Sequence, residues 1–280
     1  MEKTMKELCS WAGIPEKFAA ELHKLDRDFC YESVQEERMG LLIPEKWETA
    51  RARLREKLEP DERGMKILAC MLRCMEESRR LYEEKGISEK TFIDTMGCFG
   101  RFVREHKASY GIYGFDRDFW VSRQLSLKLF RIGELEYEMT EREGACVISM
   151  HIPSDCVLTP ENWKKSCELS RQFFQRFYPE WAGKSYVCSS WLLSPALLGL
   201  LGEESNILKF QKAFEIISWD KEEKEFLEWV FKRKDLPFEA LAENTSLQRK
   251  MKALLLSGGK VGEAFGVLRD SATGDKHIYT

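Results

Sequence analysis

Apolar residues in the first hundred or so positions recur at intervals of three and four, the spacing that gathers one face of an α-helix. Leu8, Trp11 and Ala12 begin such a stripe, and after Pro15 the segment EKFAAELHKL carries it on through Phe18, Leu22 and Leu25. Further helices are predicted over 45–58, 61–84 and 88–106, with Pro44, Pro60 and Gly86 as breakers. In the second of these, Ile67, Leu68, Met71, Leu72 and Met75 form a core stripe, and the Lys, Arg and Glu residues between them face water. The spacing predicts no strand before Gly111, since β-branched runs are scarce in this half.

The pattern changes at SYGIYGFDRDFW, residues 109–120, where two glycines and an Asp-rich turn separate the helices from the rest of the chain. A boundary near residue 115 divides the chain into a helical domain, 1–114, and a second domain, 115–280. After a short helix from Trp120 to Leu127, RIGELEYEMT alternates Ile132, Glu134, Glu136 and Glu138 with Leu135, Tyr137 and Met139, the period-two signature of a strand. EREG reads as a hairpin turn and ACVISMHIP as a central strand. Thr159, Pro160 and Glu161 supply an N-cap, a first helical residue and a first-turn acid for a helix over 160–177. KSYVCSSWLLSP is a second buried strand, LLGLL and SNILKFQKAF are helical, and FEIISW and KEFLEWVFK read as strands. Thr245 and Gln248 have the spacing of a capping box for a last helix, which stops at Gly258 and Gly259 before a short terminal strand. The order predicts an α+β fold, a mixed sheet with helices on its faces.

Composition narrows the function. Hydrophobic residues at 43% give enough material for a true core, and the net charge of −3 offers no general attraction to nucleic acid or to an anionic membrane. The opening MEKTMKELCSWAGIP lacks a basic segment leading into an apolar run, and nothing approaches the roughly 20 apolar residues of a membrane span, so a cytoplasmic protein is expected. Nine cysteines without a CxxC pair predict reduced, mostly buried thiols and no metal site; Cys70 and Cys74 are four apart, but no second pair completes a ligand set.

FRIGELEYE, VISMHIP, CSSWLLSP, SNILKFQ and NTSLQRKMKALLLSGG resemble the C-terminal domain of bacterial acyltransferases of the GNAT superfamily, and the helical half resembles the N-acyltransferase N-terminal domain that accompanies it. The resemblance implies a helical N-terminal domain followed by a GNAT-like mixed sheet. It also implies transfer of an acyl group from acyl-CoA or acetyl-CoA to the amine of a small molecule or peptide. In that fold two adjacent strands, here ACVISMHIP and KSYVCSSWLLSP, splay apart to hold pantetheine, which points to Ile152, Ser154, Cys156, Lys164, Cys188 and Ser190 as cofactor-binding positions. One departure is plain. The glycine-rich loop that brings backbone amides to a pyrophosphate is replaced by SDCVLTPENWKK, with Asp155 and Glu161 where an anion would approach and Lys164 and Lys165 one turn later. A non-catalytic binding protein that kept the fold and lost the loop is therefore the rival reading.

Among single residues, His151 is the one histidine within a predicted strand, and an imidazole suits proton abstraction from an ammonium; a core histidine bonded to a carbonyl is the bland alternative. Glu134, Glu136 and Glu138 share one strand face, and a carboxylate there, Glu136 first, is a candidate water-mediated base, against a solvated strand edge. Cys156 and Cys188 act as nucleophiles only if a cation or helix N-terminus lowers their pKa. Ser189 and Ser190 lack a Gly-x-Ser-x-Gly elbow.

Overall fold

Residues 3–269 are described by the computed structural model, and among them no strand precedes Leu129. Eight helices come first: α1 (Met5–Trp11), α2 (Glu16–Asp28), α3 (Gln35–Gly40), α4 (Trp47–Leu58), α5 (Met65–Glu84), α6 (Glu89–Met96), α7 (Cys98–Tyr110) and α8 (Asp118–Leu125). Their starts reflect local chemistry. Thr4 caps α1 in a capping box with Glu7, and the Ser88 hydroxyl accepts from Thr91 N at the start of α6. The expected helix over 88–106 is two helices, broken at Gly97. On α5, Ile67, Leu68, Met71, Leu72 and Met75 are all buried, as their spacing requires. Cys70 and Cys74 lie buried on the same helix, where the Cys74 thiol donates to the Cys70 carbonyl at 3.3 Å.

The sheet comes next, with β1 (Leu129–Ile132), β2 (Leu135–Arg142), β3 (Ala145–His151), α9 (Pro160–Phe177), β4 (Tyr186–Ser190), α10 (Leu197–Leu200), α11 (Asn206–Gln211), β5 (Phe214–Asp220), α12 (Phe226–Phe231), α13 (Ser246–Leu256) and β6 (Glu263–Leu268). The six strands lie in the order β1-β2-β3-β4-β6-β5; β3 and β4 are parallel and every other pair is antiparallel. RIGELEYEMT is two strands, because Gly133 at φ 66° folds it into a hairpin. Glu143 and Gly144, both at positive φ, close the next hairpin as a two-residue turn whose twist matches its strands.

KEFLEWVFK, expected as a strand, is helix α12. Six residues satisfy both periods, and tertiary packing decides: Phe226, Leu227 and Phe231 share a helical face and bury it in a cluster with Leu197, Met251 and Leu255. The capping box of α13 forms as expected, with Thr245 accepting from Gln248 N and the Gln248 side chain returning to Thr245 N. Replacing Thr245 with Ala is expected to lower stability by about 1 kcal/mol, read as a reduced midpoint in urea with an unchanged slope.

A single apolar core runs from the helices into the sheet. Tyr82 and Phe92 meet edge to face at 5.3 Å, Tyr82 meets Phe130 of β1 at 5.6 Å, and Phe130 meets Phe173 of α9 at 4.7 Å. Asp118, fully buried at the start of α8, accepts from Arg55 Nε at 2.7 Å and from Arg51 at 3.3 Å, tying α8 to α4. That tie holds α8 in place against α4, and α8 carries Trp120 and Arg123 of the site described below. No helix among the described residues is long and apolar enough to cross a membrane.

Candidate active site

The parallel ladder between β3 and β4 is short. Only Ile148↔Tyr186 and Ser149↔Val187 are paired, after which the strands part. Beyond that point the backbone groups by which β3 and β4 would face each other have no ladder partner across the gap, while each strand stays paired on its other side with β2 or β6. Side chains alternate along a strand, so His151, two residues past Ser149, and Ser189, two residues past Val187, stand on the same face at matching positions across the gap. Both line a cavity of about 320 Å³.

Three elements build the chemistry of that cavity. β2 supplies Glu136 and Glu138 on the face that carries His151, in a register that sets Glu136 opposite His151. Yet His151 Nε2 bonds diagonally to Glu138 Oε2, at 2.9 Å, because the nearer carboxylate is taken: Glu136 sits 2.7 Å from Arg101 of α7, and both are buried. Arg123 of α8 donates from Nε to the other Glu138 oxygen at 3.0 Å. Trp120, also on α8, stands edge-on to the imidazole with 4.9 Å between centroids.

Burial raises the Glu138 pKa, but the hydrogen bond and charge of His151 and the charge of Arg123 outweigh it and leave the carboxyl below its ordinary value. An ionised carboxylate can only accept, so His151 Nε2 donates, and in the neutral ring Nδ1 then holds the lone pair. That nitrogen has no hydrogen bond to any described residue and belongs to a side chain lining the cavity. Arg101 is also within 3.7 Å of Glu105 and 3.8 Å of Asp155; burial works against its charge, and Glu136, Cys98 and Glu105 together more than restore it. Burial lifts the Glu105 carboxyl above its usual range, against the hydroxyl of Ser154 that donates to it.

The expected site residues divide into two groups. His151, Glu136, Ile152, Ser154 and Ser190 line the cavity together, and the Ser190 hydroxyl also accepts from Leu192 N to hold the turn after β4. Cys156, Lys164 and Cys188 lie away from its wall. Burial pushes the Cys156 thiol up to about 12 and the fully buried Cys188 thiol well above its ordinary value, so neither holds a thiolate at neutral pH. Lys164 is exposed on α9, with its ammonium 5.6 Å from the Trp163 ring.

The loop between β3 and α9 has its own anchors. Glu134 accepts from Val157 N at 2.8 Å, the Thr159 hydroxyl caps Asn162 N, and Asp155 accepts from Arg131 at 2.8 Å. Burial opposes ionisation of Asp155, but Arg131 and Arg101 bring its carboxyl below its ordinary pKa. The acid that seemed set to repel an anion is thus already neutralised by two guanidinium groups.

Sequence reasoning missed Arg123, Arg101 and Trp120, and it did not join Glu138 to His151. Glu138 was visible as part of a period-two acidic run. Its partner Arg123 of α8 lies 15 positions earlier, and Arg101 of α7 lies 35 positions before its own partner Glu136, so neither left a local signal.

A family model described as the N-acyltransferase N-terminal domain matches residues 3–127, and one described as the GNAT-like C-terminal domain matches residues 129–268. Among solved structures, the chain is similar to an acyltransferase in complex with decanoyl-CoA and teicoplanin, with a TM-score of 0.79 and 23% identity over 94% of this chain and 87% of that one. An acyltransferase in complex with decanoyl-CoA gives a TM-score of 0.80 and 22% identity over 94% and 86% of the two chains. One in complex with CoA and 10C-teicoplanin gives 0.69 and 23%, over 95% and 99%. At these identities the likeness is one of fold. Comparison with curated protein sequences gives no match.

Proposed function

Because this chain belongs to the family of proteins with a GNAT-like C-terminal domain, we propose that it transfers an acyl group from acyl-CoA to the amine of a small molecule or peptide, in the cavity between β3 and β4. The observation that carries this reading is His151 at the lip of the parted strands, its Nε2 committed to Glu138 and its Nδ1 without a partner among the described residues. The similar structures that hold decanoyl-CoA or CoA support acyl-CoA as donor, and the teicoplanin complexes support an acceptor of glycopeptide size or smaller.

In this mechanism the donor's pantetheine amides pair with the backbone groups left open where the β3–β4 ladder ends, which supplies binding without dedicated side chains. His151 Nδ1 takes a proton from the acceptor ammonium, and the resulting imidazolium is held by the Glu138 carboxylate. Arg123 fixes that carboxylate from behind, so the ring cannot turn away from the gap. The neutral amine then attacks the thioester carbonyl carbon; the C–N bond forms, the C–S bond breaks, the proton held on His151 passes to the departing CoA sulfur, and the second proton on the new amide nitrogen leaves to the neutral His151 so regenerated and from there to water. Trp120, packed edge-on against the imidazole, limits water around the base.

The direct experiment is thermal melting with acetyl-CoA and with longer acyl-CoAs, followed by amine-dependent release of CoA thiol. A donor present at 100 times its dissociation constant adds about 2.7 kcal/mol to native stability. Stabilisation by a long-chain donor together with thiol release that requires an amine is the expected result. No shift with any donor would remove the acyl-CoA reading, and a shift without transfer to any amine would leave a binding protein.

A further inference from the structure

The walls of the cavity also bear on the acceptor, given the acyl-transfer reading of that cavity. Five carboxylates line it, and four of them have a basic partner. Glu136 is 2.7 Å from Arg101, and Glu105 is 3.7 Å from the same residue. Glu228 is 2.7 Å from Lys234 and also meets Arg117, while Glu225 is 3.7 Å from Lys234. Glu263 is different. Its one hydrogen bond comes from the Ser189 hydroxyl, at 2.6 Å, and no basic side chain among the described residues forms an ion pair with it.

Position gives this carboxylate its meaning. Glu263 opens β6, the strand beside β4, and Ser189 is the residue of β4 that matches His151 of β3 across the gap. The cavity therefore has a proton acceptor on its β3 side and an uncompensated carboxylate on its β4–β6 side. Where the sheet is paired, two strand spacings, roughly 10 Å, separate β3 from β6, and the parting of β3 from β4 at His151 widens that distance. Two lysines near it are engaged elsewhere: Lys260, three residues before it, pairs with Glu222 at 2.9 Å, and Lys221, beside its β5 partner Asp220, lies 4.8 Å over the Trp219 ring.

We propose that Glu263 is a specificity-determining residue, and that the acceptor is a small molecule with a second ammonium group, held by Glu263 while the first is acylated at His151. Burial lifts the Glu263 carboxyl above its usual range against the hydrogen bond of Ser189, and Glu225, Glu223 and Asp220 lift it further, so a cation arriving there meets surplus negative charge. A half-buried carboxylate that gains a charged partner contributes more than an exposed one, because solvent screens it less.

Equilibrium binding to the full-length protein tests this, with 1,5-diaminopentane and pentylamine as probes and tryptophan emission as readout, since Trp120, Trp191 and Trp229 all line the cavity. The wild-type protein is expected to bind the diamine about tenfold more tightly than the monoamine, as suits one charge-assisted contact. In Glu263→Gln, which keeps an acceptor for the Ser189 hydroxyl, the ratio should fall to near unity, and in Glu263→Asp, which keeps the charge, most of it should remain. Equal affinities in the wild type overturn the proposal without recourse to any variant. So does a preference that survives in a folded Glu263→Gln protein. Failure of the acyl-transfer reading shows separately, as absent acyl-CoA binding in the melting experiment, whatever the amines do.

Discussion

His151→Gln is expected to slow acyl transfer about 10²-fold or more while acyl-CoA binding and melting temperature stay as in the wild type. Glutamine approximates the imidazole in reach, and its amide can still donate to Glu138, so the contact at 2.9 Å that ties β3 to β2 is kept. The variant loses the ring nitrogen that faces the gap and can hold a proton between the two halves of the reaction. The loss should fall on kcat with the affinity for acyl-CoA unchanged, a split that a purely structural residue would not give. If the variant instead melts lower and turns over normally, His151 is a hydrogen-bond partner for Glu138 and nothing more. Glu138→Gln should give a smaller loss, because the base remains and only the charge that stabilises its protonated form is gone.

Helices and strands were legible wherever one period ran long enough to exclude the other. The stripe from Ile67 to Met75 spans more than two turns and the pattern from Leu135 to Met139 is strict, so both segments formed the element expected of them. Phe226–Phe231 is too short for its pattern to choose, and its helix is set by the apolar cluster it completes. His151 was legible because a histidine in an apolar strand is conspicuous by type. Glu138 was discounted for the opposite reason: acids at every second position normally mark a wet edge, and the sequence holds no sign that α7 and α8 cover that face with Arg101, Arg123 and Trp120. The pairings that turn a strand of acids into a site are contacts between distant segments. Asp118 shows the same limit, since nothing around it in the chain announces that Arg51 and Arg55 will bury its charge.

Arg101→Met should destabilise the protein by about 3–5 kcal/mol at neutral pH, the cost of stranding a buried charge. Arg101 is the hub through which α7 meets the sheet, 2.7 Å from a Glu136 carboxylate that water scarcely reaches. Methionine fills much of the same volume, so little of the loss comes from a cavity. It comes from Glu136, left ionised beneath the helices with no cation. Glu105 and Asp155 also lose a partner, but Asp155 keeps Arg131 at 2.8 Å and Glu105 keeps the Ser154 hydroxyl. Pairing Arg101→Met with Glu136→Gln removes the stranded charge itself, and urea denaturation of the double variant at pH 7 should recover most of the lost stability. A double variant no more stable than Arg101→Met alone would mean that the deficit lies in packing around α7, and that the ion pair does not hold the helices to the sheet.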